Sequence, residues 1–138
     1  MSNVRLQERH VSNHWFRASM LAGTIDIEPR FALEETARRL GESLSLTFEE
    51  ELTGRYEEYP AYVAIGAGLE FSLLGAPKPE YDIRAKKSDA HQLMISSEDE
   101  GTGSGDWGHA VEVSRFFADL IQHKTGLRCE ALEFPAAT

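Results

Sequence analysis

The sequence predicts a single α+β domain, in which two helices pack on one face of a mainly antiparallel sheet of about six to seven strands. A chain of 138 residues has the size of one domain. Two stretches carry apolar residues at helical spacing, and short alternating segments bounded by glycine and proline lie between them. The predicted order of elements is β-α-β-β-β-β-β-α-β.

The N-terminal part predicts a strand followed by a helix. Residues 1–22 read either as a helix or as an extended arm, and "TIDIE" (24–28) alternates like a half-buried strand. Pro29 suits the first turn of a helix. The following "RFALEETARRLGESL" has an apolar stripe, and we expect it to end at Gly41 or Ser43. Its spacing also predicts the ion pairs Glu34–Arg38 and Glu35–Arg39.

The middle of the chain predicts five strands. The segment "LSLTFEEEL" (44–52) alternates, and "AYVAIGAGLEFSLLG" (61–75) reads as a hairpin around Gly66-Ala67-Gly68. The prolines of "GAPKPE" interrupt the pattern. Two further segments, "YDIRAK" (81–86) and "HQLMIS" (91–96), predict a second hairpin.

The C-terminal part predicts a second helix and a last strand. Asp106 is a suitable N-cap for "WGHAVEVSRFFADLIQHKTG", and Gly126 is the expected C′ residue. His123 and Lys124 would complement the helix dipole in the last turn. "LRCEALEF" then reads as a strand in which Cys129 packs as a small core residue.

The acidic balance of the chain restricts its partners. The formal net charge is −9, which argues against binding nucleic acid and suits a basic protein partner, although solubility alone is an alternative explanation. Cys129 is the only cysteine, and neither a signal peptide nor a run long enough to span a membrane is evident. We therefore expect a cytoplasmic protein, either a monomer or a weak homodimer, that does not bind membranes.

No motif in the sequence assembles a catalytic site. The loop "SSEDEGTGSGDWGHA" (96–110) lacks the lysine of a phosphate loop and the ligand spacing of a calcium loop. His10 and His14 are four residues apart, but a zinc site needs further ligands. We therefore predict a binding protein without enzymatic activity, cofactor or metal, and we leave open whether a histidine contacts a metal.

Acidic residues interleaved with aromatic residues are the candidate partner-binding site. Tyrosine and tryptophan often anchor interfaces, and runs of acids cannot all point inward. Trp107 is either such an anchor or a hydrophobic staple at the helix start. The candidate residues are Glu49, Glu50, Glu51, Tyr56, Glu57, Glu58, Tyr59, Glu98, Asp99, Glu100, Asp106 and Trp107.

Two families share parts of this layout. The segment "FALEETARRLGESLSLTFEEE", the glycine-turned hairpin ending in "EFSLLGAP", and the late helix and strand resemble the bacterial immunity proteins of contact-dependent and other polymorphic toxin systems. That resemblance implies an inhibitor of a cognate toxin, for example a nuclease. The alternative is the βαβββ module of glyoxalase-like metal enzymes, which the first half also resembles. However, "TIDIE" lacks the expected histidine, and only one strand follows the second helix.

Overall fold

A computed structural model describes residues 20–85, 87–98 and 110–133, with only the backbone described at Ala110. The described residues form one sheet and two helices, which confirms the predicted α+β class. The elements in chain order are β1 (Met20–Ile27), α1 (Leu33–Leu44), β2 (Glu49–Glu50), β3 (Ala61–Gly66), β4 (Leu69–Leu74), a 3-10 turn (Pro79–Tyr81), β5 (His91–Ser97), β6 (Ala110–Glu112), α2 (Ser114–Thr125) and β7 (Cys129–Ala131).

Six of the seven described strands follow the order β2-β3-β4-β5-β1-β6, and the seventh, β7, pairs with β1. Strand β1 is long enough to hold two partners along one edge. Its first half pairs with β6 in parallel, and its second half pairs with β7 antiparallel. The other pairings are antiparallel. The sheet is therefore mainly antiparallel, as predicted, and the pairing of β1 with β6 is its parallel one.

Both helices cover the same face of the sheet. Ile25, Leu73 and Leu93 from the strands share one buried cluster with Leu40 of α1 and Ile121 of α2. Because successive strand residues point to opposite faces, the alternate positions face away from the helices. We call that second side the open face of the sheet.

The hairpin between β3 and β4 confirms the prediction from its glycines. Ala67 and Gly68 have φ values of 54° and 77°, as a two-residue type I′ turn requires. The turn fixes the pairing register, with Gly66 opposite Leu69. Leu69, Phe71 and Leu73 consequently point into the core, as their spacing predicts.

The first helix differs from its prediction at both ends. It begins at Leu33 rather than at Pro29, because Arg30 donates its N–H to the carbonyl of Glu28 in a tight turn (2.9 Å). It continues past Gly41 and ends at Leu44, where Ser45 takes a left-handed conformation with φ 58°. The last turn is closed by the Leu46 N–H, which donates to the Gly41 carbonyl at 2.8 Å.

The predicted start of the second helix at Asp106 is wrong, because Ala110–Glu112 form β6 and α2 begins at Ser114. Two contacts explain the late start. The Glu112 carboxylate accepts the Ser114 N–H (2.6 Å), and the Ser114 hydroxyl accepts the Thr24 N–H of β1 (2.8 Å). A Cβ atom at Gly23 would lie 2.9 Å from the Ser114 nitrogen, so the glycine permits this close approach. Gly126 ends the helix as predicted, with φ 77°.

Two predicted strands are also corrected. Only Glu49–Glu50 of the segment 44–52 pair as a strand, because Leu44 ends α1 and Leu46 packs against the core beside Gly66. Residues 81–85 form no strand, since Asp82 bonds locally to Arg84 instead of joining a ladder. The predicted order of elements agrees with the structure only because β6 replaces the strand expected at 81–86.

Candidate functional site

Glu49 and Glu50 form the edge strand of the sheet and are both exposed. Glu50 pairs with Tyr62 and Glu49 pairs with Val63 on β3. Because these pairs alternate between faces, Glu50 projects to the helix side and Glu49 to the open face. The edge strand therefore presents a carboxylate on each side of the sheet.

A groove of about 680 Å³ lies between α1, residues 46–48 and β3 on the helix side. Glu34 of α1, Phe48 and Tyr62 are among the residues that line it. The pKa of the Tyr62 hydroxyl is raised, first by burial and then by the negative charges of Glu34 and Glu50. Glu34 and the half-buried Tyr62 thus line the same groove, and Glu50 lies opposite Tyr62 on the neighbouring strand.

The arginines of α1 pair with carboxylates other than Glu34, although Arg38 lines the same groove. Arg38 donates to Glu35 at 2.5 Å and to Glu42 at 2.8 Å, and Arg39 donates to Glu35 at 2.9 Å. The predicted pair Glu35–Arg39 is confirmed, whereas the predicted pair Glu34–Arg38 is wrong. Glu42, four residues after Arg38, provided the sequence signal for this competing pairing. Glu34 makes no ion pair with any residue that the structure describes, and it lies exposed beside the groove.

Segment 51–60 is pinned to the open face by two contacts. The Arg55 guanidinium forms two hydrogen bonds to the Glu70 carboxylate, both at 2.8 Å, which lower the pKa of Glu70. The Tyr56 hydroxyl hydrogen-bonds to the Ser72 hydroxyl at 2.7 Å. The half-buried Tyr56 thus has a structural role, and the segment it anchors holds Glu57 and Glu58 at exposed positions.

Glu51 differs from its acidic neighbours because its carboxylate closes a local turn. It accepts the Thr53 N–H at 2.6 Å and also bonds to the Thr53 hydroxyl, which lowers the pKa of Glu51. Its side chain is half-buried. The local turn therefore accounts for the Glu51 carboxylate without a protein partner. No such contact accounts for the exposed side chains of four other acids among the described residues, Glu49, Glu50, Glu57 and Glu58.

Tyr59 borders a second groove, of about 610 Å³, on the open face. Leu74, Gln92 and Asp26 lie side by side across three strands at its floor, and Arg84 lines its wall. The groove thus combines an apolar position, an amide and charges of both signs. Segment 51–60 and the loop between β4 and β5 therefore border the same groove, through Tyr59 and Arg84.

The glycine-rich stretch lies mostly outside the described residues. Glu98 is described, is exposed, and donates its N–H to the Gly68 carbonyl at 2.9 Å. Asp99, Glu100, Asp106 and Trp107 fall outside the description, and so do His10 and His14. The predicted contribution of the four acidic-loop residues to partner binding stays a prediction, and whether His10 or His14 contacts a metal stays open.

The described ranges contain no group of three histidine, cysteine or carboxylate side chains placed to hold a metal ion. Burial, followed by the charge of Glu28, raises the pKa of the Cys129 thiol to about 11. A thiol with that pKa is protonated at neutral pH, and the thiolate is the reactive nucleophile. Cys129 packs at the margin of the core, in agreement with its predicted role.

Comparison with models of known protein families and with curated protein sequences finds no match for this chain. The described helices include none that is both long and apolar enough to cross a bilayer.

Proposed function

We propose that this protein binds and neutralises a basic protein partner, as an immunity protein does with its cognate toxin. The binding site is the acidic surface, which we define as Glu34, Glu49, Glu50, Glu57 and Glu58. The observation that carries the proposal is geometric: Glu34 and Tyr62 line one groove, Glu50 lies opposite Tyr62 on the neighbouring strand, and neither carboxylate makes an ion pair with a described residue. A basic partner would supply the missing positive charge.

The electrostatic balance of the free protein favours this use. Like charges brought close together repel, and the formal net charge of −9 adds a long-range negative field. Both effects destabilise the isolated chain slightly, and both become favourable when a basic surface approaches. Such a field would also steer a basic partner and raise the rate of association.

The aromatic floor of the groove supplies the second requirement of an interface. Tyr62 and Phe48 are half-buried, so each offers apolar area beside the carboxylates. An arginine or lysine side chain combines an apolar stem with a charged end, and it could bury the stem against these rings while its charge meets Glu34 or Glu50. We expect an arginine or lysine of the partner to occupy this groove.

A nuclease toxin is the partner class that best fits these features. A nuclease must present positive charge to bind phosphates, and an acidic protein surface can occupy the same region. Inhibition would then follow from blocking the substrate, and it would need no chemical step by the inhibitor. The proposal therefore predicts a stoichiometric complex in which the toxin is inactive.

The test begins with the partner recovered by co-purification from the native host and identified by mass spectrometry. The purified partner should be basic, and the wild-type protein should inhibit its activity at a ratio of one to one. Reversing Glu34 and Glu50 to lysine should weaken affinity by about 100-fold or more, because two unfavourable contacts replace two favourable ones. Asp119→Lys, on the exposed face of α2, is the control with the same change of charge per residue.

Two results would contradict the proposal. One is recovery of a small molecule without any protein partner. The other is a partner whose affinity is the same for the doubly reversed variant as for Asp119→Lys, which would show that the groove is not the contact. Circular dichroism and thermal melting of the variants would establish that each is folded before its affinity is compared.

A further inference from the structure

The loop between β4 and β5 exposes apolar side chains that the core does not use. Ile83 is 95% exposed and Tyr81 is 51% exposed. Tyr81 ends the 3-10 turn Pro79–Tyr81, and Ile83 follows two residues later. An exposed isoleucine contributes nothing to the core, because the hydrophobic effect rewards only area removed from water.

The residue between them fixes the backbone that carries these side chains. The Asp82 side chain is only 7% exposed, and its carboxylate accepts hydrogen bonds from Nε and Nη2 of Arg84, both at 2.8 Å. The Arg84 N–H also donates to it, at 3.2 Å. This bonding holds the pKa of the Asp82 carboxyl well below its usual range, first through the Arg84 side chain.

Further hydrogen bonds close the rest of the loop. Lys87 Nζ donates to the carbonyls of Asp82 and Arg84 at 2.8 and 3.0 Å, and Arg84 Nη2 donates to the Ser88 carbonyl at 3.1 Å. We call Asp82, Arg84 and Lys87 the Asp82 clasp. The clasp holds the backbone on both sides of Ile83 while the Ile83 side chain stays in water.

A rigid, exposed apolar side chain has the physical properties of an interface anchor. Ordering a loop on binding costs free energy, and a loop that is already ordered avoids that cost. Anchors of this kind contribute disproportionately to affinity when they fill a pocket on the partner. The described structure offers no other use for Ile83, which is the most exposed of its large apolar side chains.

The loop adjoins the acidic surface. Gly75, at the end of β4, donates its N–H to the Pro60 carbonyl at 2.9 Å, which ties the base of the loop to the segment that carries Glu57 and Glu58. Tyr59 of that segment and Arg84 of the clasp line the same groove. A partner seated on Glu57 and Glu58 therefore lies beside the loop.

We infer that Tyr81 and Ile83 form an apolar anchor that enters a pocket on the same basic protein that binds the acidic surface. This inference rests on the proposed function and extends it with a second contact. The acidic surface would accelerate association, and the anchor would slow dissociation. The Asp82 clasp acts as the positioning element, because its hydrogen bonds hold the backbone on both sides of Ile83.

Photo-crosslinking in the native host tests which surfaces meet the partner. A benzoylphenylalanine residue is placed at position 83 in one variant and at position 50 in another. The inference expects the same protein to be cross-linked at both positions. An adduct at position 50 alone overturns the anchor and leaves the proposed function standing. An adduct at position 83 alone overturns the acidic surface and therefore the shared partner, and an adduct with a second copy of this chain overturns the anchor.

Affinity measurements with the purified partner then test the contribution of the anchor. Ile83→Ser should weaken binding by about tenfold or more, mainly through faster dissociation, with an unchanged melting temperature. Ile65→Ser, which changes an isoleucine that is 55% exposed on β3, is the matched control and should change affinity by less than about twofold. An equal effect of the two substitutions would overturn the anchor.

A second variant tests the role of the clasp. Asp82→Asn leaves Ile83 in place but removes the charge that holds Arg84, so we expect faster amide hydrogen exchange in residues 80–88 and weaker binding. If exchange accelerates while affinity is unchanged, the pre-ordered loop does not contribute to binding and the positioning role of Asp82 is overturned.

Discussion

Individual carboxylates in this chain differ in what they bond to, and the difference separates structural from functional candidates. Glu35 and Glu42 bind Arg38, Glu70 binds Arg55, and Glu51 closes a turn. Glu34 has no such partner among the described residues and lies close enough to Tyr62 to affect its pKa. A count of acids in the sequence treats all of these residues alike, whereas the described contacts select a few of them.

The Asp82 clasp predicts how stability depends on pH. The folded state lowers the pKa of Asp82, so the stabilisation is fully present above the ordinary value of 3.8 and is lost as the pH falls below it. The difference in unfolding free energy between wild type and Asp82→Asn should therefore be constant from about pH 7 to pH 5 and should shrink below about pH 4. Urea unfolding at each pH measures this difference.

Asp89→Asn is the control for that experiment, because Asp89 lies in the same loop but is exposed and makes no ion pair with a described residue. Its difference from wild type should be small at every pH. The account of the clasp would be contradicted if the difference for Asp82→Asn were as large at pH 3 as at pH 7.

At the scale of elements, helix and strand ends were harder to predict than the elements themselves. The hairpin of β3 and β4 could be predicted, because glycines at its turn and alternating residues beside it act locally. The start of α2 could not, because the contact between Ser114 and β1 depends on Gly23, which is far away in sequence. The prediction of a strand at 81–86 was wrong, because the alternation of apolar and polar residues does not reveal the side-chain hydrogen bond between Asp82 and Arg84.

The candidate site could likewise be predicted only in part from the sequence. The exposed acids of β2 and of segment 51–60 could be proposed from their runs in the sequence. The groove between α1 and β3 could not be proposed, because it needs the tertiary placement of Glu34 beside Tyr62. Ile83 was missed because an isoleucine inside an alternating segment normally indicates a strand.

The end of α1 offers a test at the element scale. Ser45 has a left-handed conformation that glycine adopts without strain, so Ser45→Gly should raise the unfolding free energy by about 0.5–1 kcal/mol. Ser43→Gly, two residues earlier within the helix, should lower it by about 0.5 kcal/mol. Chemical denaturation of both variants measures the two effects. Equal changes in the same direction would contradict the described helix end.

At the scale of the whole molecule, the core and the acidic surface occupy different parts of the fold. The helices and one face of the sheet build the core, and the edge strand β2 with segment 51–60 carries exposed charge. Arg55 and Glu70 connect these roles, because their ion pair fixes the charged segment to the sheet. The fold thus holds its unpaired acids away from the core, where a partner can reach them.

We expect the acidic surface to draw a basic partner to this protein by long-range electrostatic attraction. The most direct test is the association rate constant with the purified partner as a function of salt concentration, for wild type and for a variant with Glu49, Glu50, Glu57 and Glu58 changed to lysine. The account predicts a wild-type rate that falls about tenfold or more as salt screens the attraction, and a slower variant whose rate falls little or even rises. A wild-type rate that is independent of salt, or equal rates for the two proteins at low salt, would contradict the claim.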